Sequence, residues 1–135
     1  MKTLVDTSVW SLAFRHSNQA DHPAVAELGR LVRDHRVLVI GPVRQEVLSG
    51  IRAEFQFLAL ERRMSAFPDL AISGADYVMA ARFFNLCRAR GVQGSNTDFL
   101  LCSVSVRHNI SIFTADTDFV LYAKHLPLQL HSLHG

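Results

Sequence analysis

MKTLVDTSVW, residues 1–10, carries three structural instructions in ten positions. Residues 2–5 form a short run fit for a buried strand, Asp6 follows at once, and Thr7 and Ser8 put hydroxyls where a helix would begin. A carboxylate therefore stands at the carboxyl end of a strand. In open α/β sheets ligands bind in the crevice beyond the strand ends, so position alone makes Asp6 a site candidate. Its competing role is that of a helix N-cap, for which Asp is a preferred residue.

The same alternation continues outward from this stretch. Residues 8–14 make two helical turns with Trp10 and Phe14 four apart. Residues 15–20 read as a loop, and Asp21 with Pro23 signals a helix start, followed by Val25, Leu28, Val32 and His35 at helical spacing. Residues 37–40 are a second strand. Gly41-Pro42 opens a helix that carries Glu46 in its second turn and stops at Gly50. Over residues 52–67, Phe57, Leu60, Met64 and Phe67 mark one apolar face, which Pro68 ends before a minor strand at 70–72. Residues 74–90 are the longest helix, with Tyr77, Ala80, Phe84 and Cys87 on one face, its aromatics in the core and Gly91 as its stop. A helix over 97–108 has Asp98 in its first turn, where a carboxylate suits the helix dipole. Residues 110–113 form a strand, a short helix follows to Ala123, 126–130 make a last strand, and 131–135 a loose tail.

Strands alternating with helices imply an α/β fold, with a central parallel sheet, right-handed crossovers and helices on both faces. There is no internal repeat or linker, so residues 1–135 read as a single domain. At 49% hydrophobic residues the chain can bury a sizeable core. The N-terminal apolar run is too short for a signal peptide and no apolar stretch could span a bilayer, which points to a cytoplasmic protein without a membrane partner. Cys87 and Cys102 lack metal-ligand spacing and read as reduced core thiols. A net charge of +2 is compatible with a nucleic-acid partner without arguing for one.

Five of the twelve acidic residues, Asp6, Glu46, Asp98, Asp116 and Asp118, each follow a strand or open a helix. The topology can gather most of them at one sheet edge, where they would repel one another unless something positive sits among them. Oxygen-rich clusters of this kind suit Mg²⁺ or Mn²⁺.

Four segments taken together resemble the PIN-domain ribonucleases, and more narrowly the toxins of VapBC-type toxin–antitoxin pairs: LVDTSVW around Asp6, GPVRQEVLSGIR around Glu46, RARGVQGSNTDFLLCSVSVRHN around Asp98, and TADTDF around Asp116 and Asp118. The resemblance implies a PIN-like fold and an acidic site of Asp6, Glu46, Asp98 and Asp116, with Asp118 as a fifth member and Ser8 and Thr114 as polar neighbours of the metal. It also implies Mg²⁺- or Mn²⁺-dependent endonucleolytic cleavage of RNA by metal-activated water. A VapB-like antitoxin would cover the groove, and the toxin would be a homodimer with contacts near Trp10 or Phe57. Where such toxins often have small residues after the third acid, this chain has Phe99, Leu100, Leu101 and Cys102.

Other readings compete with these. The seven histidines are dispersed without ligand spacing. Among the arginines, Arg44 and Arg52 flank the Glu46 helix and are the better candidates for RNA phosphates. A phosphoacceptor receiver domain would need an acidic pair after the first strand, and Thr7-Ser8 stands there instead. A catalytically silent PIN-like module that binds RNA or protein is the remaining alternative, against which the intact set of acids argues.

Overall fold

A computed structural model describes residues 1–14 and 21–133; the loop expected over 15–20 lies outside them. Three short strands, β1 (Thr3–Val5), β2 (Val37–Leu38) and β3 (Ser111–Phe113), form one parallel sheet in the order β2-β1-β3. Leu4 pairs with Leu38 on one side and Ile112 on the other, and the Asp6 amide extends the β1–β3 ladder by donating to the Phe113 carbonyl at 2.9 Å. β1 is buried along its whole length, as expected of a parallel strand covered on both faces. The chain leaves β1 to one side for β2 and returns on the other as β3. Asp6 therefore ends the central strand at the point where the connections diverge, the position where open α/β sheets form a binding crevice.

The two remaining expected strands shrink to single bridges, Val39 to Asp69 and Ile112 to Leu130. At the second, the Leu128 amide folds back onto the Leu126 carbonyl around Pro127 at 2.8 Å, a tight turn that an extended strand cannot contain. At the first, the chain turns straight into the cap of the next helix.

Seven helices complete the described chain: α1 (Thr7–Phe14), α2 (Pro23–Arg33), α3 (Gly41–Leu48), α4 (Glu54–Met64), α5 (Gly74–Ala89), α6 (Asn96–His108) and α7 (Asp118–Ala123). α6 is the most enclosed of them. Phe99 to Ser105 are all buried, so the large residues after Asp98 are core rather than surface. Trp10 is wholly buried too, with Phe14 stacked on it at 5.7 Å and Phe67 tilted against it at 5.2 Å, so Trp10 itself is core. Cys87 and Cys102 are buried free thiols, as expected.

α2 presents a different face from the expected one, α5 departs from its expected face only at Tyr77, and a buried carboxylate accompanies each difference. α2 buries Ala24, Glu27, Leu28 and Leu31, while Val32 and His35 are exposed. Glu27 can be inside because Arg30 Nη2 reaches it at 2.6 Å and His131 Nε2 at 2.5 Å. Residue 131 is therefore not part of a loose tail. Its ring packs on Phe113 at 5.3 Å and its amide donates to the Ile112 carbonyl at 2.7 Å. The α2 cap also differs: His22 Nδ1, not Asp21, accepts from the Ala24 amide at 3.0 Å.

In α5 Asp76 is fully buried, joined to Ser73 in a capping box, to Arg107 Nη1 at 2.7 Å and to His108 Nε2 at 3.3 Å. Burying Asp76 turns its neighbour Tyr77 outward, to 54% exposure, while Ala80 and Cys87 stay inside. The Asp76 contacts tie the start of α5 to the end of α6, so the two helices run antiparallel. Gly91 ends α5 in the left-handed region at φ 79°, the stop its sequence position suggested.

Candidate functional site

Asp6 is 5% exposed, and burial pushes its carboxyl above the usual range. Its Oδ2 accepts from Ser8 Oγ at 2.7 Å and from Thr114 Oγ1 at 2.9 Å, so one hydroxyl from α1 and one from the end of β3 converge on a single oxygen. Each hydroxyl is itself an acceptor. Ser8 Oγ takes the Ala115 amide at 2.9 Å and Thr114 Oγ1 takes the Asp116 amide at 3.0 Å. The parallel pairing of β1 with β3 fixes this relay, because it brings the two strand ends level.

Asp116 follows directly. Its Oδ1 accepts the Asp118 amide at 2.9 Å and so turns the chain into α7. Asp118 itself is exposed and offers only its backbone to this arrangement. Asp98 arrives from the opposite wall, in the first turn of α6, where Ser95 Oγ accepts its amide at 3.0 Å. Its Oδ2 accepts from the Tyr122 hydroxyl at 2.7 Å. Burial raises the Asp98 carboxyl, and the charges of Asp6 and Asp116 push it further. Three carboxylates therefore feel one another across the ends of β1, β3 and α6.

Glu46 stands further out on α3, exposed, with Thr7 Oγ1 donating to Oε1 at 2.7 Å. Together with Thr7, Pro42, Gln45, Ser49 and Thr97 it lines an open groove of about 580 Å³. An apolar cavity of about 470 Å³ shares Pro42 and Thr97 with this groove and continues under Phe84 and Phe99.

Carboxylates and hydroxyls form a donor set suited to a hard divalent cation, and the share of the Asp98 shift that follows burial, the charges of Asp6 and Asp116, is what such a cation would relieve. As the side chains stand, no three His, Cys, Asp or Glu among the described residues are gathered around one point. Each acid is instead turned to a local donor: Asp6 to Ser8 and Thr114, Asp98 to Tyr122, Asp116 to the Asp118 amide, Glu46 to Thr7. The residues fit the ion by chemistry and by shared location.

Sequence reasoning missed Tyr122 and treated Thr7 only as a helix-start hydroxyl. Tyr122 had one legible signal, a tyrosine amid apolar positions of a short helix, because a buried phenol needs a partner. Arg44 has a different occupation from the expected one. Its guanidinium bonds Asp69 at 3.0 Å, the Met64 carbonyl at 2.8 Å and the Phe67 carbonyl, stapling α3 to the end of α4. Arg52 is exposed in the turn before α4.

A family model described as PIN domain matches residues 3–125 of this chain. The chain is 31% identical over 133 residues to the VapC ribonuclease Mb1587 of Mycobacterium bovis, covering 96% of this chain and 97% of that protein. Ribonuclease VapC11 of Mycobacterium tuberculosis matches to the same extent. Among solved structures, FitAcB from Neisseria gonorrhoeae superposes with a TM-score of 0.75 at 17% identity over 98% of both chains. VapBC-1 from nontypeable Haemophilus influenzae gives 0.75 at 12% identity over the full length of both. VapBC2 from Rickettsia felis, bound to a DNA fragment from its promoter, gives 0.72 at 16% identity over 97% of this chain and 98% of that one.

Proposed function

The chain belongs to the PIN domain family, and from that membership and its acidic groove we propose a divalent-metal-dependent endoribonuclease, the toxin of a type II toxin–antitoxin pair. The observation that supports this reading is the placing of Asp6 and Asp116 just after β1 and β3 and of Asp98 in the first turn of α6, where Asp98 is raised by burial and then by the charges of Asp6 and Asp116. Bare acids in such number would repel the phosphates of RNA, so the site needs a cation before it can accept its substrate.

Asp6, Asp98 and Asp116 are the residues to hold that ion, with Asp118 beside them at the start of α7. Ser8 and Thr114 both engage Oδ2 of Asp6 and fix the carboxylate's orientation. Held there, Mg²⁺ or Mn²⁺ would supply an activated water near neutral pH and would offset the charge building on the attacked phosphate. Glu46, fixed by Thr7 on the groove wall, orients the water, and exposed Arg52 meets the RNA backbone. The acids hold and orient; none attacks.

Hydrolysis of cellular RNA harms the cell that makes this protein, so its partner is a cognate VapB-like antitoxin that occupies the groove, with an Arg paired to these carboxylates. The protein acts in the cytoplasm, as one domain and as a homodimer. Two experiments test the reading. RNA ends sequenced after expression in cells should show cleavage at defined sites, and the purified protein should cut with Mg²⁺ or Mn²⁺ and stop in EDTA. Unchanged cleavage in excess chelator would sink the proposal. Co-expression of the small neighbouring gene should relieve growth arrest, and persistent arrest with the neighbour's product present would remove the antitoxin half.

A further inference from the structure

We propose that the Tyr122 hydroxyl, seated against Gly94, is a positioning group for the Asp98 carboxylate and thereby sets how tightly the acidic site holds its divalent cation. The inference rests on the reading of Asp98 as an ion ligand.

Tyr122 is 0% exposed, packed between Phe99 at 4.9 Å and Phe119 at 5.1 Å. For that packing alone a phenylalanine would serve. What the hydroxyl adds is the 2.7 Å bond to Asp98 Oδ2, which fixes one oxygen of the carboxylate and with it the carboxylate's orientation.

A second and independent observation comes from the loop on the other side of the ring. A Cβ built at Gly94 would lie 2.2 Å from the Tyr122 hydroxyl oxygen, 2.8 Å from Cζ and 3.0 Å from Cε2 of Phe99. Any side chain there would displace the hydroxyl. Gly94 immediately precedes Ser95, whose Oγ accepts the Asp98 amide. One short segment thus grips Asp98 twice, by its main chain through Ser95 and by its carboxylate through the phenol that Gly94 admits. α7, which starts two residues after Asp116, carries that phenol, so the arm ending β3 orients a ligand on α6. Partners that orient metal ligands typically account for about 10- to 100-fold in metal affinity.

The test measures the Mg²⁺ concentration at the midpoint of the thermal-shift response, alongside that giving half-maximal RNA cleavage, in the parent, Tyr122→Phe, Gly94→Ala, their double variant and Asp98→Asn. Tyr122→Phe should melt near the parent without metal and need about 10- to 100-fold more Mg²⁺ in both readouts. Gly94→Ala, which keeps the tyrosine, should move the midpoint the same way and, in the Tyr122→Phe background, move it little further, the mark of two residues acting through one contact. A Tyr122→Phe protein that melts lower but keeps the parent's Mg²⁺ midpoint would reduce Tyr122 to a packing residue, as would additive effects of the two substitutions. Should Tyr122→Phe fail to fold, Gly94→Ala decides, because an unchanged midpoint there overturns the proposal. If Asp98→Asn responds to Mg²⁺ as the parent does, or the parent does not respond, the reading of Asp98 itself is wrong and the inference falls with it.

Discussion

Asp98 is where a single charge can be weighed against a single fold. Its carboxyl is raised from 3.8 by burial, then by Asp6 and Asp116, so its ionised form is less favourable in the folded chain than in the unfolded one. The sign follows: this contribution to stability is full below 3.8 and is lost as pH rises through the higher folded pKa. At neutral pH the metal-free protein carries the penalty. Asp98→Asn removes it at nearly constant volume and keeps an acceptor for Tyr122. The metal-free variant should melt no lower than the parent, although a weakened helix-terminus interaction offsets about 0.3 to 1 kcal/mol. Mg²⁺ at a hundredfold excess over Kd should stabilise the parent by about 2.7 kcal/mol and the variant much less, with cleavage abolished. Differential scanning fluorimetry with and without Mg²⁺ reads both. A variant that melts clearly lower and responds to Mg²⁺ like the parent would make Asp98 a structural cap.

Between elements, two buried carboxylates do what apolar packing usually does. Asp76 fastens α5 to α6, and Glu27 fastens α2 to the segment after the last bridge. For both, hydrogen bonds outweigh burial and bring the carboxyl to about 2: Arg30 leads at Glu27, while at Asp76 burial is overcome by the Ser73 amide and Arg107. Their stabilisation is present above the unfolded values of 4.5 and 3.8 and lost as pH falls toward 2. Asp76→Ala removes a cap and Arg107's partner together and should cost about 1 to 3 kcal/mol in urea unfolding, with the m-value unchanged. His131→Gln should lower stability at neutral pH and make its loss below pH 4.5 shallower, because Glu27 keeps Arg30 but, without its second partner, is held less far below 4.5. An identical acid limb in that variant would show that residue 131 clasps nothing in solution.

These same carboxylates mark where the sequence stops being legible. The three strands of the sheet and the acid at each turn could be read from local runs, since apolar stretches and capping residues act within a few positions, while the runs at 70–72 and 126–130 promised strands that are single bridges. The faces of α2 and α5 could not, because Glu27 and Asp76, besides their local partners Arg30 and Ser73, are held by His131 and Arg107, 104 and 31 residues away. Tyr122 was hidden by the same distance effect, 24 residues from the acid it serves. Arg44 looked available for phosphate only because its acceptors, two main-chain carbonyls and Asp69, belong to a later helix end.

For the molecule as a whole, opposing titrations set a window. Acidification of the metal-free protein should first stabilise it, as Asp6 and Asp98 take up protons, and then unfold it as Glu27 and Asp76 lose their charges. Mg²⁺ should flatten the first limb and leave the second unchanged, since only the first involves the ion's residues. Circular dichroism melts between pH 7 and pH 2 decide the matter, and a metal-free stability that declines steadily from pH 7 would contradict a strained acidic site.

Asp6 accepts its hydrogen bond from Thr114 across 108 residues of chain. On the ribosome that separation becomes time. At about 5–20 residues per second, roughly 5 to 20 s pass between the synthesis of the first acid and the synthesis of the hydroxyl that holds it. Throughout that interval the nascent chain contains Asp6, then Glu46, then Asp98, without the strand that draws them together. A protein that destroys RNA is thus harmless to the message and ribosome producing it until its last quarter emerges, and chains truncated before β3 should be inert however well their helices form.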